Sequence, residues 1–327
     1  MPATSPATIT AIEPLRAVEG GRVTLRGEFA IDPLPTVMFG AVAARLAFAS
    51  SRRLVALAPA ELEGGTVPIR VDGVHGSAFL SIGAPWATGL HQVDNPVFDA
   101  HGNLYVTYSG PRGQESPVSI FRVTAAGTRE AFASGIVNAT SMAIGPDGAL
   151  YVSSRFEGAV YRVASDGKYE TVATDLGVAC GIAFDAEGWM YVGDRSGTVF
   201  RVRDGKATAF ASLPSSVAAF HLAFGPGDNL YVAAPTLDSY DQIYRISRTG
   251  DVTRLPAPFG RPQGLAIGPD RALYIVDALA GNNGVYRLAN DNDPPELFVS
   301  GVSLVGLAFG PGGQLVVVSN DTAYRFD

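Results

Sequence analysis

The stretch GIAFDAEGWMYVGDRSGTVFRVRDGKATAFAS, residues 181–212, decides the fold. It reads as four short strands in succession. Gly181-Ile182-Ala183-Phe184 is the first, and Asp185-Ala186-Glu187-Gly188 is the tight turn that ends it. Trp189 to Gly193 forms the second strand, Thr198 to Val202 the third, and Lys206 to Ala211 the fourth. The second strand recurs at Tyr105, Tyr151, Tyr191, Tyr231, Tyr274 and Val316, in steps of 46, 40, 40, 43 and 42 residues. Each copy leads to a third strand ending in aromatic-Arg: Arg122, Arg162, Arg201, Arg245, Arg287 and Arg325. A period near 40 residues holding several short strands is the mark of a propeller blade. The expected fold is all-β, a six-bladed β-propeller behind a smaller β-sandwich.

The chain ends at Asp327, soon after a third strand, so the sixth copy lacks a fourth. Trp86-Ala87-Thr88, ahead of the first copy, has the pattern of the missing strand. Residues 84–90 are therefore expected to pair with the C-terminal strands and close the ring, which removes an exposed sheet edge.

Residues before Gly83 follow a different plan. Thr8 to Ile12, Arg22 to Arg26, Thr36 to Phe39, Leu54 to Leu57 and Val67 to Val71 alternate like half-buried strands, separated by turns such as Glu19-Gly20-Gly21. Alternation buries one face of each strand and gives two packed sheets. Ile12-Glu13-Pro14, Gly20-Gly21, Val23-Thr24-Leu25, Gly27-Glu28-Phe29, Phe39-Gly40 and Ala58-Pro59 resemble an IPT/TIG domain. The resemblance covers most of residues 6–82 and implies an immunoglobulin-like fold serving as a spacer or protein-contact module. The expected units are residues 1–83 and 84–327.

Composition narrows the partners. Apolar residues make up 47% and charged residues 17%, with 38 Gly and 22 Pro, which suits short strands joined by turns. A net charge of −7 argues against nucleic acid. Cys180 is the one cysteine, so no intrachain disulfide forms. No apolar run approaches a membrane span and no signal peptide is visible, so the expected location is cytoplasmic.

Repetition separates scaffold from site. A residue present in every blade, such as the third-strand Arg, is expected to stack on aromatics or bond between blades. Copies disagree in loop length at Ser109 to Pro117, Ala234 to Asp241 and Asp277 to Asn283, all on one face. Variable loops on a rigid scaffold are where binding is expected. The residues facing that end of the channel include Asp94, Asn95, Cys180, Phe220, His221 and Gln263, with Tyr108, Asn138, Arg155, Asp194, Arg195, Asp277 and Asn320 around them. Tyr108, Asn95, Asn138, Arg155, Asp194, Arg195, Gln263, Asp277 and Asn320 are thus the candidate ligand contacts. His221 and Asp94 are the candidates for acid–base chemistry, since His titrates near neutrality and Asp94 is a carboxylate near the axis. His91 and His101 are expected at the surface, outside this pocket.

The turns Gly145-Pro146-Asp147-Gly148, Gly225-Pro226-Gly227-Asp228, Gly268-Pro269-Asp270-Arg271 and Gly310-Pro311-Gly312-Gly313 resemble those of NHL-repeat and gluconolactonase-like (senescence-marker-protein-like) propellers, over residues 84–327. The gluconolactonase likeness implies a divalent metal, Ca or Mg, at the channel mouth, with Asp94 in the first ligand position. Cys180, Phe220 and Gln263 stand where further ligands would be, and a hard cation wants several carboxylate oxygens. The preferred expectation is a propeller that binds a small molecule or partner protein without catalysis. The alternative is a metal-dependent lactone hydrolase or a lyase, using the channel-mouth pocket and working through Asp94, His221 and a metal bound in an altered way.

Overall fold

The computed structural model describes residues 8–278 and 282–326. It is all-β apart from one short 3-10 turn at Pro226–Asp228. Six antiparallel blades surround an axis, their innermost strands being Val97–Phe98, Ala139–Ile144, Ala179–Phe184, His221–Gly225, Pro262–Ile267 and Leu304–Phe309. The protein is a six-bladed β-propeller.

The repeated aromatics explain why the blades lock at this spacing. Tyr151, Tyr191 and Tyr274 meet Phe184, Phe224 and Phe309 of the following blade edge-on, with ring centroids 4.9, 5.0 and 4.9 Å apart. That geometry sets a positive ring edge against a negative face. The hydroxyls of Tyr191 and Tyr274 reach the turn carboxylates Asp185 and Asp270 at 3.1 and 3.2 Å. The third-strand Arg are scaffold. Arg122, Arg162, Arg245 and Arg287 pair with Glu130, Asp147, Asp291 and Asp270, while Arg201 stacks on Trp189 and Arg325 on Trp86.

Crowding at the axis demands small residues. A Cβ at Gly264 would lie 2.2 Å from Asn95 Oδ1, and one at Gly306 would lie 2.6 Å from the Asp94 carbonyl. Those clashes fix glycine by close approach, since both φ angles are ordinary.

Ala84–Ala87 is the outermost strand of the last blade, with Ala84 opposite Arg325, Pro85 opposite Tyr324 and Ala87 opposite Ala323. Trp86 stacks on Phe98 of blade one, so this strand also braces the first blade. Beyond it, the Leu90 and Gln92 N–H groups donate to the carbonyls of Asp321 and Asn320.

Residues 8–82 form two sheets over their own core of Val23, Leu25, Val37, Phe39, Leu54, Ile69 and Leu80. One sheet is not confined to that unit. The two-residue strand Arg16–Ala17 pairs in parallel with both Ala78–Ile82 and Glu296–Ser300, joining it to blade five in a nine-stranded sheet. Val18 packs with Val276, Val299 and Phe326 of the propeller. Among the described residues, no helix is long and apolar enough to cross a membrane.

Candidate functional site

The site is built on an irregular segment that enters blade one. Gln92, wholly buried, holds it in place: its Nε2 donates to the Asp94 carbonyl at 2.7 Å, and its Oε1 accepts from the Thr107 N–H at 2.7 Å. Asn320 Nδ2 donates to the Gln92 carbonyl from the last blade. Asp94 is thereby fixed, 2% exposed, just before the inner strand of blade one.

His221 begins the inner strand of blade four and is 0% exposed. Its Nδ1 lies 2.5 Å from Asp94 Oδ1, and the Asn95 N–H donates to the same oxygen at 2.7 Å. An ionised carboxylate only accepts, so in this pairing Nδ1 carries the hydrogen. Nε2 is buried and has no partner among the described residues. In a neutral ring that atom presents a lone pair, the arrangement of an oriented general base. Residues 127 apart in sequence form the one buried His–carboxylate pair of the described residues.

Cys180 lies within the same field. Burial pushes its thiol up to about 11; the Phe220 backbone pulls it down, the Asp94 charge raises it, and Arg155 and Arg195 lower it. It is a packed, inert thiol. Arg155, half-buried, is lowered by desolvation first and then by its like-charged neighbours Arg112 and Arg195, against an upward pull from Cys180. His91 is half-buried, edge-on to Tyr108 at 5.8 Å, and held low by burial and then by Arg155. Its backbone bridges to Tyr108, just past the end of the second strand of blade one. His101 is exposed on a turn.

Several other candidates sit on this face with their polar atoms already engaged. Asn95 is a staple between blades: its Nδ2 donates to the Leu265 carbonyl at 2.7 Å and its Oδ1 accepts from the Leu307 N–H at 3.0 Å. Asn95→Ala should therefore lower stability by roughly 1–3 kcal/mol, the cost of leaving buried partners unpaired. An unchanged denaturant midpoint would show that these bonds do not form in solution. Asp194 accepts from the Val178 N–H, and Asp277 from the Gly260 and Arg261 N–H groups, each clamping the loop before its blade's inner strand. Asn138, at φ 51°, does the same for the blade-one loop, accepting from Gly113 and donating to the Ser109 and Pro111 carbonyls. Asn320 is engaged with Gln92, and Gln263 is half-buried at the start of its inner strand. The blade-five loop falls partly outside the described residues.

The donor set does not suit a hard divalent cation. Asp94 Oδ1 already carries two hydrogen bonds, both amide atoms of Asn95 are spent, and no three His, Cys, Asp or Glu side chains gather among the described residues. A separate groove of about 880 Å³ lies between the first sheet and blade five, lined by Arg22, Arg26, Phe48 and Arg53. None of the candidate ligand or acid–base residues lines it, although Asn282 of the blade-five loop does.

No protein-family model matches the chain, and no curated protein does. Solved structures match it at the level of fold. An auxiliary nutrient binding protein from Bacteroides thetaiotaomicron superposes with a TM-score of 0.59 at 13% identity, over 98% of each chain. A gluconolactonase from Xanthomonas campestris gives a TM-score of 0.59 at 14% identity, over 75% of this chain and 89% of that one. A catalytically inactive virginiamycin B lyase from Staphylococcus aureus, solved with quinupristin, gives 0.54 at 14% identity, over 99% and 96%. What such distant likeness shows is the fold. Binding proteins, hydrolases and lyases all use it, and function must be argued from the site.

Proposed function

We propose that this chain is a binding propeller that takes a small ligand at the channel mouth, on the face carrying the variable loops. The observation that carries this reading is His221, fully buried, fixed by Asp94 through Nδ1 and left without a partner at Nε2. Buried polar atoms are normally satisfied, and of the eight unpartnered ones among the described residues only His221 Nε2 belongs to a His–carboxylate pair. The likeness to an auxiliary nutrient binding protein supports a small-molecule ligand. Residues 1–83, read as an IPT/TIG-like immunoglobulin-like unit, would act as a spacer held to blade five, and residues 84–327 as the NHL-like binding unit.

A thermal-shift screen of small metabolites against the native protein and His221→Ala tests the reading. The expected result is a ligand that raises the melting point of the native protein and leaves that of His221→Ala unmoved. Equal shifts in both proteins would place binding elsewhere.

The same dyad favours a second reading, a hydrolase or lyase in which His221 Nε2 takes a proton and Asp94 holds the ring. This chemistry would run without a metal, given the donor set. Turnover of lactones or cyclic esters that vanishes in His221→Ala would replace the binding reading with this one.

A further inference from the structure

We propose that the mouth binds an oxyanion, a carboxylate or phosphate group gripped by Arg155 with Arg112 and Arg195 beside it. The inference rests on the mouth being the ligand site and names the class of ligand it takes.

On the flank of the propeller, four of the six repeated arginines are ion-paired and the other two stack on Trp rings. Arg122, Arg162, Arg245 and Arg287 each have an acidic partner within 2.8 Å. Three arginines of the loop face have neither arrangement. Arg155 and Arg112 have no hydrogen bond or ion pair among the described residues, and Arg195 gives only its Nε to the Ser216 carbonyl at 3.2 Å. Three consecutive blades supply the three guanidinium groups, each from the loop joining second and third strands.

Local structure brings the loops together. The Gly113 N–H donates to Asn138 Oδ1 at 2.7 Å, and a Cβ on Gly113 would meet the Phe156 ring at 2.9 Å. Arg112 is thus seated against the loop that carries Arg155. Burial and mutual repulsion both hold Arg155 below its ordinary value, so an added negative charge would relieve it. Ser109 Oγ, in the same blade-one loop, is another of the eight buried polar side-chain atoms without a partner among the described residues. The planar guanidinium fork matches a carboxylate or phosphate in two parallel hydrogen bonds. In a chain of net charge −7, a local patch of three Arg against Asp94 would draw anions to one place.

Calorimetric titration at constant ionic strength tests this, using inorganic phosphate, a set of short mono- and dicarboxylates, and neutral sugars of similar size. Saturable binding of at least one anion is expected, weakened about tenfold or more by Arg155→Gln and less by Arg155→Lys. Phosphate alone or carboxylates alone would tell which oxyanion is meant. Arg195→Gln, on a more exposed side chain, repeats the test if Arg155→Gln melts early. No saturable anion binding, or binding in Arg155→Gln and Arg195→Gln equal to that of the native protein, overturns the proposal. A neutral sugar that binds and is lost in His221→Ala, with anions inert, would overturn the anion class while leaving the mouth as the site. Ligands insensitive to both His221→Ala and Arg155→Gln would overturn both.

Discussion

Replacing Asp94 with alanine should cost roughly 3 kcal/mol of folding stability, because it strips a buried imidazole of its only partner. His221 is 0% exposed and its Nε2 is already unpartnered, so the variant would bury both ring nitrogens unsatisfied. The Asn95 N–H would lose its acceptor as well. For a domain of this size the melting point should fall by about 6–12 °C. Stability loss alone does not prove the pairing, since any cavity at the axis would lower the melt. A double-mutant cycle with His221→Ala isolates it. Removing both partners should be less harmful than the sum of the single changes, by about 1–3 kcal/mol. A coupling near zero would mean that the two side chains do not meet in solution. Asp94→Asn should fall between, because its amide oxygen can still accept from Nδ1 while its NH₂ finds no acceptor in place.

The fold was legible because its cause is local and repeated. Six copies of one strand, five of them with Tyr at the same place, leave one architecture, and the Tyr–Phe contacts between blades are a physical reason that the aromatic recurs. The site was legible only by position. Asp94 and His221 could be picked out as chemistry-bearing residues at the mouth, but their 2.5 Å pairing depends on how blades one and four meet across the axis. Nothing in the local pattern of either residue encodes that. Asn138, Asp194 and Asp277 were placed on the right face, yet their polar atoms bind loop backbone. A side chain's type and location do not reveal which N–H groups a loop will turn toward it. Gln92 gave no signal, since a single Gln in an irregular stretch resembles any surface residue. The parallel pairing of Arg16–Ala17 with blade five was hidden for the same reason: two residues are too few to show a period.

The second large effect concerns the ring's closure. Suppose residues 84–90 are exchanged for a flexible Gly/Ser linker of equal length, so that the first sheets stay tethered. Blade six then has three strands, and its third, Ala323–Phe326, becomes an open edge. Ala87 and Leu90 lose their places beside Val316, Val318 and Val106, and Trp86 leaves the Phe98 ring and the Arg325 guanidinium. Burial of that apolar surface is worth roughly 5 kcal/mol or more. The deeper consequence is loss of cooperativity. In a repeat protein each blade is stabilised chiefly by its neighbours, so a ring held at every seam unfolds as one unit and an opened ring can fray from its ends. Heating the variant should give a lower and broader transition, and hydrogen exchange should rise first in Leu304–Phe309, Leu315–Ser319 and Ala323–Phe326. The frayed blade adjoins Asp94 through the contact of Gln92 with Asn320, so ligand binding at the mouth should weaken before the remaining blades melt. A sharp, unshifted melt with native exchange in the last blade would show that the ring holds itself shut without this strand.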